Sequence, residues 1–400
     1  MRERGACSRP MVIHVTTTDI SLELLLGPQL EAFADAGLEV FGASAPGPYV
    51  DALARRGVRH LALEHATRSM DPLEDARALV ELVGTFRRLR PAIVHTHNPK
   101  PGVYGRIAAR IASVPVTVNT THGLYALPGD PTPKRAFVYG LERLASTCSD
   151  AELVQNPEDL SVLQRLGVPQ EKLTLLGNGI DLCRFDPASI SAADALAARG
   201  ELGAHGPTDV VVGAVGRLVR EKGYSEVFEA ARHLHDRLPA VRFAAIGPAE
   251  PDKTASLSAD ERAAAETAGV RFLGSRDDVV RLYRGMDLYV LASHREGIPR
   301  SAMEAAAMGI PIVATDVRGC REVVEHGLSG LLVPPRNPPA LADAIAALAV
   351  DPPRRLRMGE AGRRKALRDF DQQRCIDITL ATYDRQLSRA GISWSREIPV

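Results

Sequence analysis

Short runs of apolar residues recur along the whole chain, and longer segments with helical spacing separate them. Most of these runs are apolar throughout rather than alternating with polar positions. Strands that helices cover on both faces have this pattern, so each run predicts a strand of a parallel sheet. The runs cover residues 12–17, 39–44, 58–63, 92–97, 116–122, 151–156, 173–179, 210–216, 242–247, 270–274, 288–293, 311–316 and 330–335.

The alternation of strand runs with helical segments indicates an α/β protein. The chain has 400 residues, which is too long for one ordinary core and favours two domains of about 150–200 residues each. The stretch 185–209 is rich in Ala, Gly, Pro and Ser, shows no strand pattern and is the predicted junction. We therefore expect domains at 1–184 and 185–370 that face a cleft, and a helical tail at 371–400 that packs back toward the first domain.

Composition and charge narrow the class of protein. Hydrophobic residues make up 45% of the chain and charged residues 24%, and the formal net charge of zero gives no indication of nucleic-acid binding. The five cysteines are scattered without a C-x-x-C pair, which favours reduced thiols. No apolar run approaches the ~18–20 residues that span a bilayer, and the basic start of the chain lacks the features of a signal peptide. We expect a cytoplasmic protein, at most peripheral on the inner face of the cell membrane.

The strand run 210–216 ends in glycine, and two cations follow it. Gly213 and Gly216 leave room for a ligand close to the backbone, whereas Arg217 and Lys222 place a guanidinium and an ammonium beyond the strand end. Two converging cations suit a diphosphate. The alternative is an ordinary loop with two solvated cations, and this segment alone leaves it open.

The stretch EGIPRSAMEAAAMGIPIVATD, residues 296–316, places two acids around a nearly apolar helix. Ser301 and Gly309 have the positions of a helix cap and a helix end, and Glu304 lies three residues after the serine. The helix N-terminus favours an anion, whereas Glu296 and Glu304 suit hydrogen bonds from hydroxyl groups, such as those of a sugar and a ribose. The alternative makes Glu304 half of a capping box and Glu296 an ordinary loop residue.

The order of these motifs resembles one family. The spacing E-x7-E at Glu296 and Glu304, with the segments GRLVREKG, VQNPEDLSVLQRLGV and LGNGIDLCRF, is similar to that of the retaining glycosyltransferases of family four, which have the GT-B fold. The resemblance runs from about residue 12 to about residue 370. It implies two Rossmann-like domains, a UDP-sugar donor, retention of anomeric configuration by front-face displacement, and no cofactor.

The resemblance also implies roles for individual residues. Arg217 and Lys222 correspond to residues that bind the donor diphosphate. Glu304 corresponds to a residue that holds the ribose hydroxyls, and Glu296 to one that contacts the donor sugar. His122, in the segment TTHG, corresponds to a histidine that faces this sugar. The implied catalytic residues are therefore Arg217, Lys222, Glu296 and His122.

Further positions match the family's donor-binding segments. Gly27, in LLLGPQL, falls where the family has a glycine-containing loop near the phosphates, although this chain lacks a second glycine there. The implied donor-binding residues are Gly27, Gly216, Arg217, Lys222, Gly274, Arg276, Val279, Glu296, Gly297, Ile298, Pro299 and Glu304.

Two short motifs raise the question of a metal ion. The sequence matches D-x-D at Asp369 and Asp371, but well past the last strand run. His95 and His97 have strand spacing with both rings on one face, yet no third ligand has a suitable spacing along the chain. We therefore predict no metal site, and expect the two histidines to serve packing or acceptor contact.

Residues 86–143 carry an excess of basic side chains, and Asp130 and Glu142 are the only acidic residues in this stretch. Aromatic residues are interleaved, and this combination suits an anionic membrane surface. The alternative is a set of solvated helix faces. The basic residues are Arg87, Arg88, Arg90, Lys100, Arg106, Arg110, Lys134, Arg135 and Arg143.

The acceptor is the least determined part of the prediction. The segments TRSMDPLEDARALVEL and HTHNPKPGVYGRIAARIASVPVTVNTTHG look like the capsule and lipopolysaccharide branch of the family, which implies transfer of an N-acetylhexosamine or hexose to a polyprenyl-diphosphate-linked saccharide. A small soluble acceptor, such as an antibiotic aglycone or a cyclitol, is the main alternative. A nucleotide-sugar epimerase on the same fold and an inactive nucleotide-binding module are the others.

Overall fold

The structure is a computed structural model of the chain and describes residues 9–67, 69, 71–126, 129–249 and 256–396. Residues 1–8, with Cys7 and most of the basic start, lie outside the described residues. The chain forms two compact units. One holds the residues up to 177 together with those from 373 onward, and the other holds residues 178–372.

The first unit is built on a seven-stranded parallel sheet with the strand order β3-β2-β1-β4-β5-β6-β7. Its strands are β1 (Met11–Thr18), β2 (Glu39–Ala45), β3 (Arg59–Ala62), β4 (Ile93–His97), β5 (Val116–Thr121), β6 (Ala151–Val154) and β7 (Leu173–Leu175). Its α-helices are α1 (Gly27–Asp35), α2 (Val50–Arg55), α3 (Pro72–Leu89), α4 (Lys100–Ile111), α5 (Thr132–Ser146), α6 (Pro157–Arg165) and, from later in the chain, α15 (Gln372–Arg389). A π-helical turn, Ser21–Leu26, leads directly into α1.

The second unit is built on a six-stranded parallel sheet with the strand order β10-β9-β8-β11-β12-β13. Its strands are β8 (Val210–Val215), β9 (Val241–Ile246), β10 (Val270–Gly274), β11 (Leu288–Leu291), β12 (Ile312–Thr315) and β13 (Gly330–Val333). Its α-helices are α7 (Ala192–Glu201), α8 (Tyr224–His235), α9 (Ala259–Thr267), α10 (Val279–Arg284), α11 (Arg300–Ala307), α12 (Arg318–Val323), α13 (Pro338–Ala349) and α14 (Pro352–Asp369). A 3-10 turn, Arg220–Lys222, lies between β8 and α8.

Every predicted strand run overlaps one strand, so the α/β prediction with parallel sheets is confirmed. The continuous apolar runs follow from helices on both faces of each sheet. Val12 and Ile13 are neighbours on β1 and point to opposite faces, yet both are fully buried. Val12 packs in the cluster of α1, whereas Ile13 packs in that of α3. Burying each such side chain stabilises the fold by about 1.5–3 kcal/mol.

The stretch 185–209, expected to join the domains, lies inside the second unit. It contains α7. Ala198 of this helix and Leu202 just after it are both fully buried in the hydrophobic core of the second unit. Arg199 donates to Asp287 Oδ2 at 2.7 Å and so ties the helix to the start of β11. The chain passes between the units at 177/178, compared with the expected 184/185. The small residues that suggested a linker instead let α7 pack closely.

Helix α15 belongs to the first unit. Its residues Tyr383 and Leu387 are buried against the cluster that includes Phe33 of α1. The ring of Tyr383 meets that of Phe33 edge-on, with centroids 5.5 Å apart. The tail segment 371–400 therefore supplies a helix to the core of the unit that contains β1.

Both sheets reverse their strand order beside their first strand, between β1 and β4 and between β8 and β11. Ligands of open α/β sheets bind off the carboxyl ends of strands at such switch points. In the first unit β1 and β4 carry His14, His95 and His97 to this position. In the second unit Gly216 follows β8 and Ser293 follows β11. Among the described residues, no helix is both long and apolar enough to cross a bilayer.

Candidate functional site

Lys222 and Glu296 meet at the switch point of the second sheet. The Nζ atom of Lys222 lies 2.6 Å from Oε1 of Glu296, and the Glu296 side chain is only 9% exposed. Ser293 Oγ donates to the same oxygen at 2.7 Å. A shielded pair of this kind is stronger than a solvated surface pair. The second oxygen, Oε2, has no hydrogen-bond partner among the described residues and can accept one from a ligand hydroxyl.

The backbone beside this pair is closely packed around glycines. Gly216 donates from its amide to Ile246 O at 2.9 Å, and its carbonyl accepts from Tyr224 Oη at 2.9 Å. A Cβ on Gly247, whose φ is +144°, would lie 2.0 Å from Gly216 O. Only glycine fits there, because the positive φ and the contact both exclude a side chain. Arg217 extends from this turn and is half-buried.

Helix α11 begins directly after the loop that carries Glu296. Its first residue is Arg300 and its N-cap is Pro299, which makes no side-chain cap. The expected cap at Ser301 was wrong, and so was the alternative that made Glu304 half of a capping box, because Ser301 Oγ accepts from Tyr289 Oη at 2.7 Å instead of capping the helix. The uncapped amides at this N-terminus favour an anion.

Glu304 lies one turn inside α11. Its Oε2 is 3.0 Å from Tyr283 Oη, which also lies 3.1 Å from the Ser301 carbonyl oxygen. Burial raises the pKa of the Glu304 carboxyl, while Arg300, the Tyr283 hydroxyl and Arg184 act in the opposite direction. A carboxyl with this environment accepts hydrogen bonds from neutral hydroxyl groups with little competition from water.

Two residues without a sequence-derived role hold the loop between the acids. Asn178 Nδ2 donates to the carbonyl of Ile298 at 3.1 Å, which gives a structural reason for the segment LGNG. Gly319 of α12 packs so closely that a Cβ there would lie 1.5 Å from Gly297 O. The positions of Gly297, Ile298 and Pro299 therefore depend on backbone contacts from two other parts of the second unit.

Gly274, Arg276 and Val279 lie together where β10 leads into α10. Arg276 pairs with both oxygens of Asp278 at 2.8 Å, and Arg281 and Glu201 complete a network of ion pairs. Hydrogen bonds from Arg276, and from Arg281 after it, lower the pKa of the Asp278 carboxyl to about 2. The Arg276 guanidinium is thus held by neighbouring acids, and its role toward a nucleotide base stays a prediction.

The two remaining predicted residues lie in the first unit. The expectation of a loop at Gly27 was wrong: the residue is the first of α1, and its amide donates to Glu23 O of the preceding helical turn. The following residue is a proline, so no free amide is offered there. His122 follows β5, and Asn98 holds its loop by accepting from the His122 amide at 2.7 Å and donating to Gly123 O at 2.6 Å.

The fold adds a third histidine to the pair predicted from the sequence. His14, His95 and His97 offer ring nitrogens that all lie within 4.8 Å of one another, and among the described residues they are the one group of side chains that could hold a metal ion. Spacing along the chain does not reveal this group, because β1 and β4 are distant in sequence but are neighbours in the sheet. Asp369, the start of the D-x-D match, instead pairs with Lys365 at 2.9 Å and Arg368 at 2.8 Å.

The basic stretch 86–143 is less uniform than its composition suggests. Arg106 is fully buried and pairs with Glu142 and Glu152, each at 2.7 Å, so its assignment to a membrane-facing set was wrong. Lys100 pairs with Asp75 at 2.5 Å. The exposed basic residues of the stretch are Arg87, Arg88, Arg90, Arg110 and Arg143.

Helix α5 has an apolar face that the first unit leaves exposed. Phe137 and Leu144 are 59% and 57% exposed. Their spacing places them on one side of the helix, together with Ala136 and Gly140. Arg143 lies beside Leu144 and is also exposed. We call the residues Ala136, Phe137, Gly140 and Leu144 the α5 apolar face.

Two family models match the chain, one in each structural unit. The family model described as "Glycosyl transferases group 1" matches residues 203–365, which contain Arg217, Lys222 and both acids. The model described as "Glycosyl transferase 4-like domain" matches residues 26–179. Each match lies within one structural unit, apart from its last two residues in the second case.

The chain is similar to proteins with different acceptors. It is 32% identical to a D-inositol 3-phosphate glycosyltransferase of Xylanimonas cellulosilytica, over 74% of this chain and 72% of that protein. It is 29% identical to a UDP-Gal:alpha-D-GlcNAc-diphosphoundecaprenol alpha-1,3-galactosyltransferase of Escherichia coli, over 72% of this chain and 73% of that protein. The crystal structure of Anabaena Alr3699/HepE with UDP and glucose has the same fold, with a TM-score of 0.75, 21% identity, and coverage of 94% of this chain and 99% of that one.

Proposed function

The chain belongs to the group 1 glycosyltransferases and has the GT-B fold, and we propose that it transfers a hexose or N-acetylhexosamine from a UDP-sugar, with retention, to a polyprenyl-diphosphate-linked saccharide. The observation that carries the donor half of this proposal is the Lys222–Glu296 pair at the switch point of the second sheet. In this pair Lys222 provides a cation that can bind phosphate, and Glu296 provides a carboxylate that can accept hydrogen bonds from sugar hydroxyls.

The donor diphosphate is met by Arg217, Lys222 and the amides at the start of α11. Breaking the bond between the sugar and the diphosphate increases negative charge on the leaving oxygens. Lys222 has three donor hydrogens and uses one for Glu296, so others are available for phosphate oxygens. These fixed donors stabilise the leaving group without a metal ion, and activity is expected to persist in EDTA.

The two acids bind different parts of the donor, the ribose and the transferred sugar. Glu304 accepts from the ribose hydroxyls, and Glu296 accepts from a hydroxyl of the sugar. Lys222 and Ser293 both donate to Glu296 Oε1, which lowers the nucleophilicity of this carboxylate. This arrangement favours front-face displacement over a covalent sugar intermediate on Glu296.

The lipid-linked acceptor is supported by the surface of α5. The α5 apolar face, with Arg143 beside it, suits the boundary of an anionic membrane, where apolar side chains insert and cations meet lipid phosphates. The similarity to the E. coli galactosyltransferase, whose name gives a diphosphoundecaprenol acceptor, supports the same class of substrate.

A small phosphorylated cyclitol is the second candidate acceptor. It is favoured by the similarity to the D-inositol 3-phosphate glycosyltransferase, which is the higher of the two identities. The two candidates differ in polarity, so the product of one partitions into organic solvent and that of the other stays in water.

The experiment begins with a thermal-shift screen of UDP-, GDP- and ADP-sugars. A bound donor at 100 times its Kd adds about 2.7 kcal/mol to the free energy of unfolding. The best donor is then incubated, with and without EDTA, with extracted polyprenyl-diphosphate saccharides or with inositol 3-phosphate. UDP release and labelled product that require the lipid-linked acceptor support the proposal. Product only from the cyclitol phosphate favours the second candidate, and UDP-sugar conversion without any acceptor contradicts both.

A further inference from the structure

Six polar side chains of the first unit form one unbroken line of hydrogen bonds. The line runs through Thr120, His95, Tyr383, His14, His97 and His122. Its five contacts are Thr120 Oγ1–His95 Nε2 at 2.7 Å, His95 Nδ1–Tyr383 Oη at 2.5 Å, Tyr383 Oη–His14 Nε2 at 3.3 Å, His14 Nδ1–His97 Nε2 at 3.1 Å and His97 Nδ1–His122 Nε2 at 2.9 Å. Each histidine inside the line therefore uses both ring nitrogens.

Burial favours the neutral form of the four imidazoles in this line. Burial lowers the pKa of His14 to about 3 and that of His122 to about 4. Burial also holds the pKa values of His95 and His97 well below the usual value, and the neighbouring histidines add to this effect. A neutral imidazole has one donor nitrogen and one acceptor nitrogen. The line consequently has only two complete arrangements, one the reverse of the other.

Thr120 selects between these two arrangements. Its hydroxyl is buried, and among the described residues its one hydrogen-bond partner is His95 Nε2. If His95 donated to Thr120, both ends of the line would be unsatisfied, because the Thr120 hydroxyl hydrogen would have no acceptor and His122 Nδ1 would have no donor. In the opposite arrangement only the hydrogen on His122 Nδ1 lacks a partner within the protein, which is the less unfavourable outcome. Thr120 therefore donates, and the Nδ1 of His95 carries the hydrogen.

The donor and acceptor of each remaining hydrogen bond in the line then follow. His95 Nδ1 donates to Tyr383, whose single hydrogen is donated to His14 Nε2. His14 donates from Nδ1 to His97, and His97 donates from Nδ1 to His122 Nε2. The last hydrogen of the line is thus on Nδ1 of His122. That atom is buried and has no hydrogen-bond partner among the described residues.

We infer that this line fixes His122 as the Nδ1–H tautomer, so that it presents a hydrogen-bond donor to an oxygen acceptor of the ligand. The chemical class of that acceptor is a hydroxyl, amide carbonyl or phosphate oxygen of a sugar nucleotide, and this identification rests on the proposed function. Asn98 supports the role, because its two hydrogen bonds to the backbone of His122 and Gly123 fix the loop around the ring. Thr120, Tyr383, His14 and His97 are then positioning residues.

The same cluster gives a competing expectation, a bound metal ion on His14, His95 and His97. Both nitrogens of His95 are already engaged, by Thr120 and Tyr383, and both nitrogens of His97 by histidines. A metal ion would have to replace several of these hydrogen bonds. The hydrogen-bonded line gives a partner to both ring nitrogens of His14, His95 and His97.

The test is the tautomer of each histidine in the full-length, ligand-free protein, read from nitrogen NMR of ¹⁵N-histidine-labelled material. Signals of His122 are assigned from their loss in His122→Asn. The expected result is a hydrogen on Nδ1 and none on Nε2 for His122 and for the three histidines behind it. An Nε2–H tautomer or a charged ring at His122 overturns the inference. So does one equivalent of zinc that co-purifies with the protein and is lost in His14→Asn.

Two matched variants test the connection along the line. Tyr383→Phe removes one hydroxyl and keeps the ring that packs against Phe33, so His122 should show a mixture of both tautomers. Tyr104→Phe, whose hydroxyl is buried without a partner among the described residues, should leave the His122 signals unchanged. If Tyr383→Phe does not fold, Thr120→Val removes the group that sets the direction. Unchanged His122 tautomers in a folded Tyr383→Phe or Thr120→Val protein overturn the inference.

Activity separates this inference from the proposed function. Tyr383→Phe should lower kcat/KM for transfer by about three- to tenfold, the contribution of one ordinary hydrogen bond, while UDP affinity stays unchanged. Absence of transferase activity in the wild type, together with the expected tautomers, rejects the proposed function alone. Normal wild-type activity with the opposite tautomer at His122 rejects the inference alone.

Discussion

Lys222 Nζ lies 2.6 Å from Glu296 Oε1, and Ser293 Oγ lies 2.7 Å from the same oxygen. Two donors thus hold one oxygen of a nearly buried carboxylate and leave the other for a ligand. The phosphate-binding and sugar-binding groups of the proposed donor site are therefore in direct contact, and a change in one alters the position of the other.

Lys222→Ala is expected to reduce kcat/KM by about 10²–10³, the scale of losing one preorganised donor to a charge that develops in the transition state. The matched control is Arg220→Ala, which removes a cation from the same 3-10 turn. Arg220 is exposed and pairs with Glu261 at 2.8 Å, so its loss should leave the rate nearly unchanged. Steady-state kinetics of both purified variants decide the point, and equal rates would remove Lys222 from the diphosphate site.

Glu304→Gln is expected to raise Tm and to weaken UDP binding by about 10–100-fold, the range for a hydrogen bond to a charged group. Burial raises the pKa of the Glu304 carboxyl, so its contribution to the free energy of unfolding is present below the unfolded pKa and is lost as pH rises through the folded pKa. At neutral pH the neutral amide avoids this loss. Calorimetry with UDP and thermal unfolding measure the two effects.

The control for Glu304 is Glu360→Gln, an exposed acid on α14. It should change neither Tm nor UDP affinity. A folded Glu304→Gln protein that binds UDP as tightly as the wild type would place the ribose elsewhere.

Gly319→Ala is expected to destabilise the protein by about 1–3 kcal/mol and to abolish most activity. The added Cβ would lie 1.5 Å from Gly297 O, so the loop that carries Glu296 must move. Gly200→Ala on α7 is the control, because a Cβ there meets nothing within 4 Å, and alanine in a helix is neutral or stabilising. Activity and urea unfolding of both variants show whether the contact matters.

Acid is expected to lower the free energy of unfolding of the first unit as pH falls from about 6.5 through the folded pKa values, which are about 4 for His122 and about 3 for His14. Burial lowers the pKa values of His14, His95, His97 and His122, so the unfolded chain binds protons that the folded unit does not. Their contribution to the free energy of unfolding is present above the unfolded pKa and is lost as pH falls through the folded values. Each group changes this energy by up to about 1.4 kcal/mol per pH unit.

Trp394, the one tryptophan of the chain, packs against the core of the first unit and reports its unfolding by fluorescence. His122→Asn removes one titrating group, so it should reduce the slope of the free energy of unfolding against pH by up to the contribution of one proton. His233→Asn on α8 of the second unit should leave this slope unchanged. The same slope of unfolding free energy against pH in the wild type and in His122→Asn would contradict the prediction.

Binding to vesicles of acidic lipid is expected to depend on the α5 apolar face. Phe137→Ser combined with Leu144→Ser should weaken binding by about 10²–10⁴-fold if both side chains insert fully, at about 1.5–3 kcal/mol for each. Leu196→Ser, at a still more exposed leucine on α7, is the control. Vesicle sedimentation measures the effect, and a wild type that fails to bind at low salt would favour the soluble cyclitol acceptor.

The sequence predicted the strands and the residues at their carboxyl ends because these depend on local pattern. Buried parallel strands require continuous apolar runs, and their ends must carry the chemistry, as at Gly216 and Glu296. The order of the strands then brings Lys222 to Glu296, which no spacing along the chain reveals. The role of Ser293 was missed for the same reason, although it is the last residue of the predicted run 288–293.

The errors share one physical origin: tertiary contacts outweighed local preference. Ser301 has a good capping position, but Tyr289 occupies its hydroxyl. Arg106 was counted as a surface cation because Glu152, its second partner, lies outside the counted stretch. Gly27 was placed in a loop, whereas a π-helical turn continues into α1 and uses its amide.

The position of α15 in the first unit has a consequence for biosynthesis. Domains ordinarily fold in order as they leave the ribosome. The N-terminal sheet cannot complete its core until Tyr383 and Leu387 have been translated, and by then the entire second unit has already been made. Apolar residues of α1 such as Phe33 therefore stay uncovered through most of synthesis. The nascent chain is expected to need chaperone protection on its older half while its younger half is already folded.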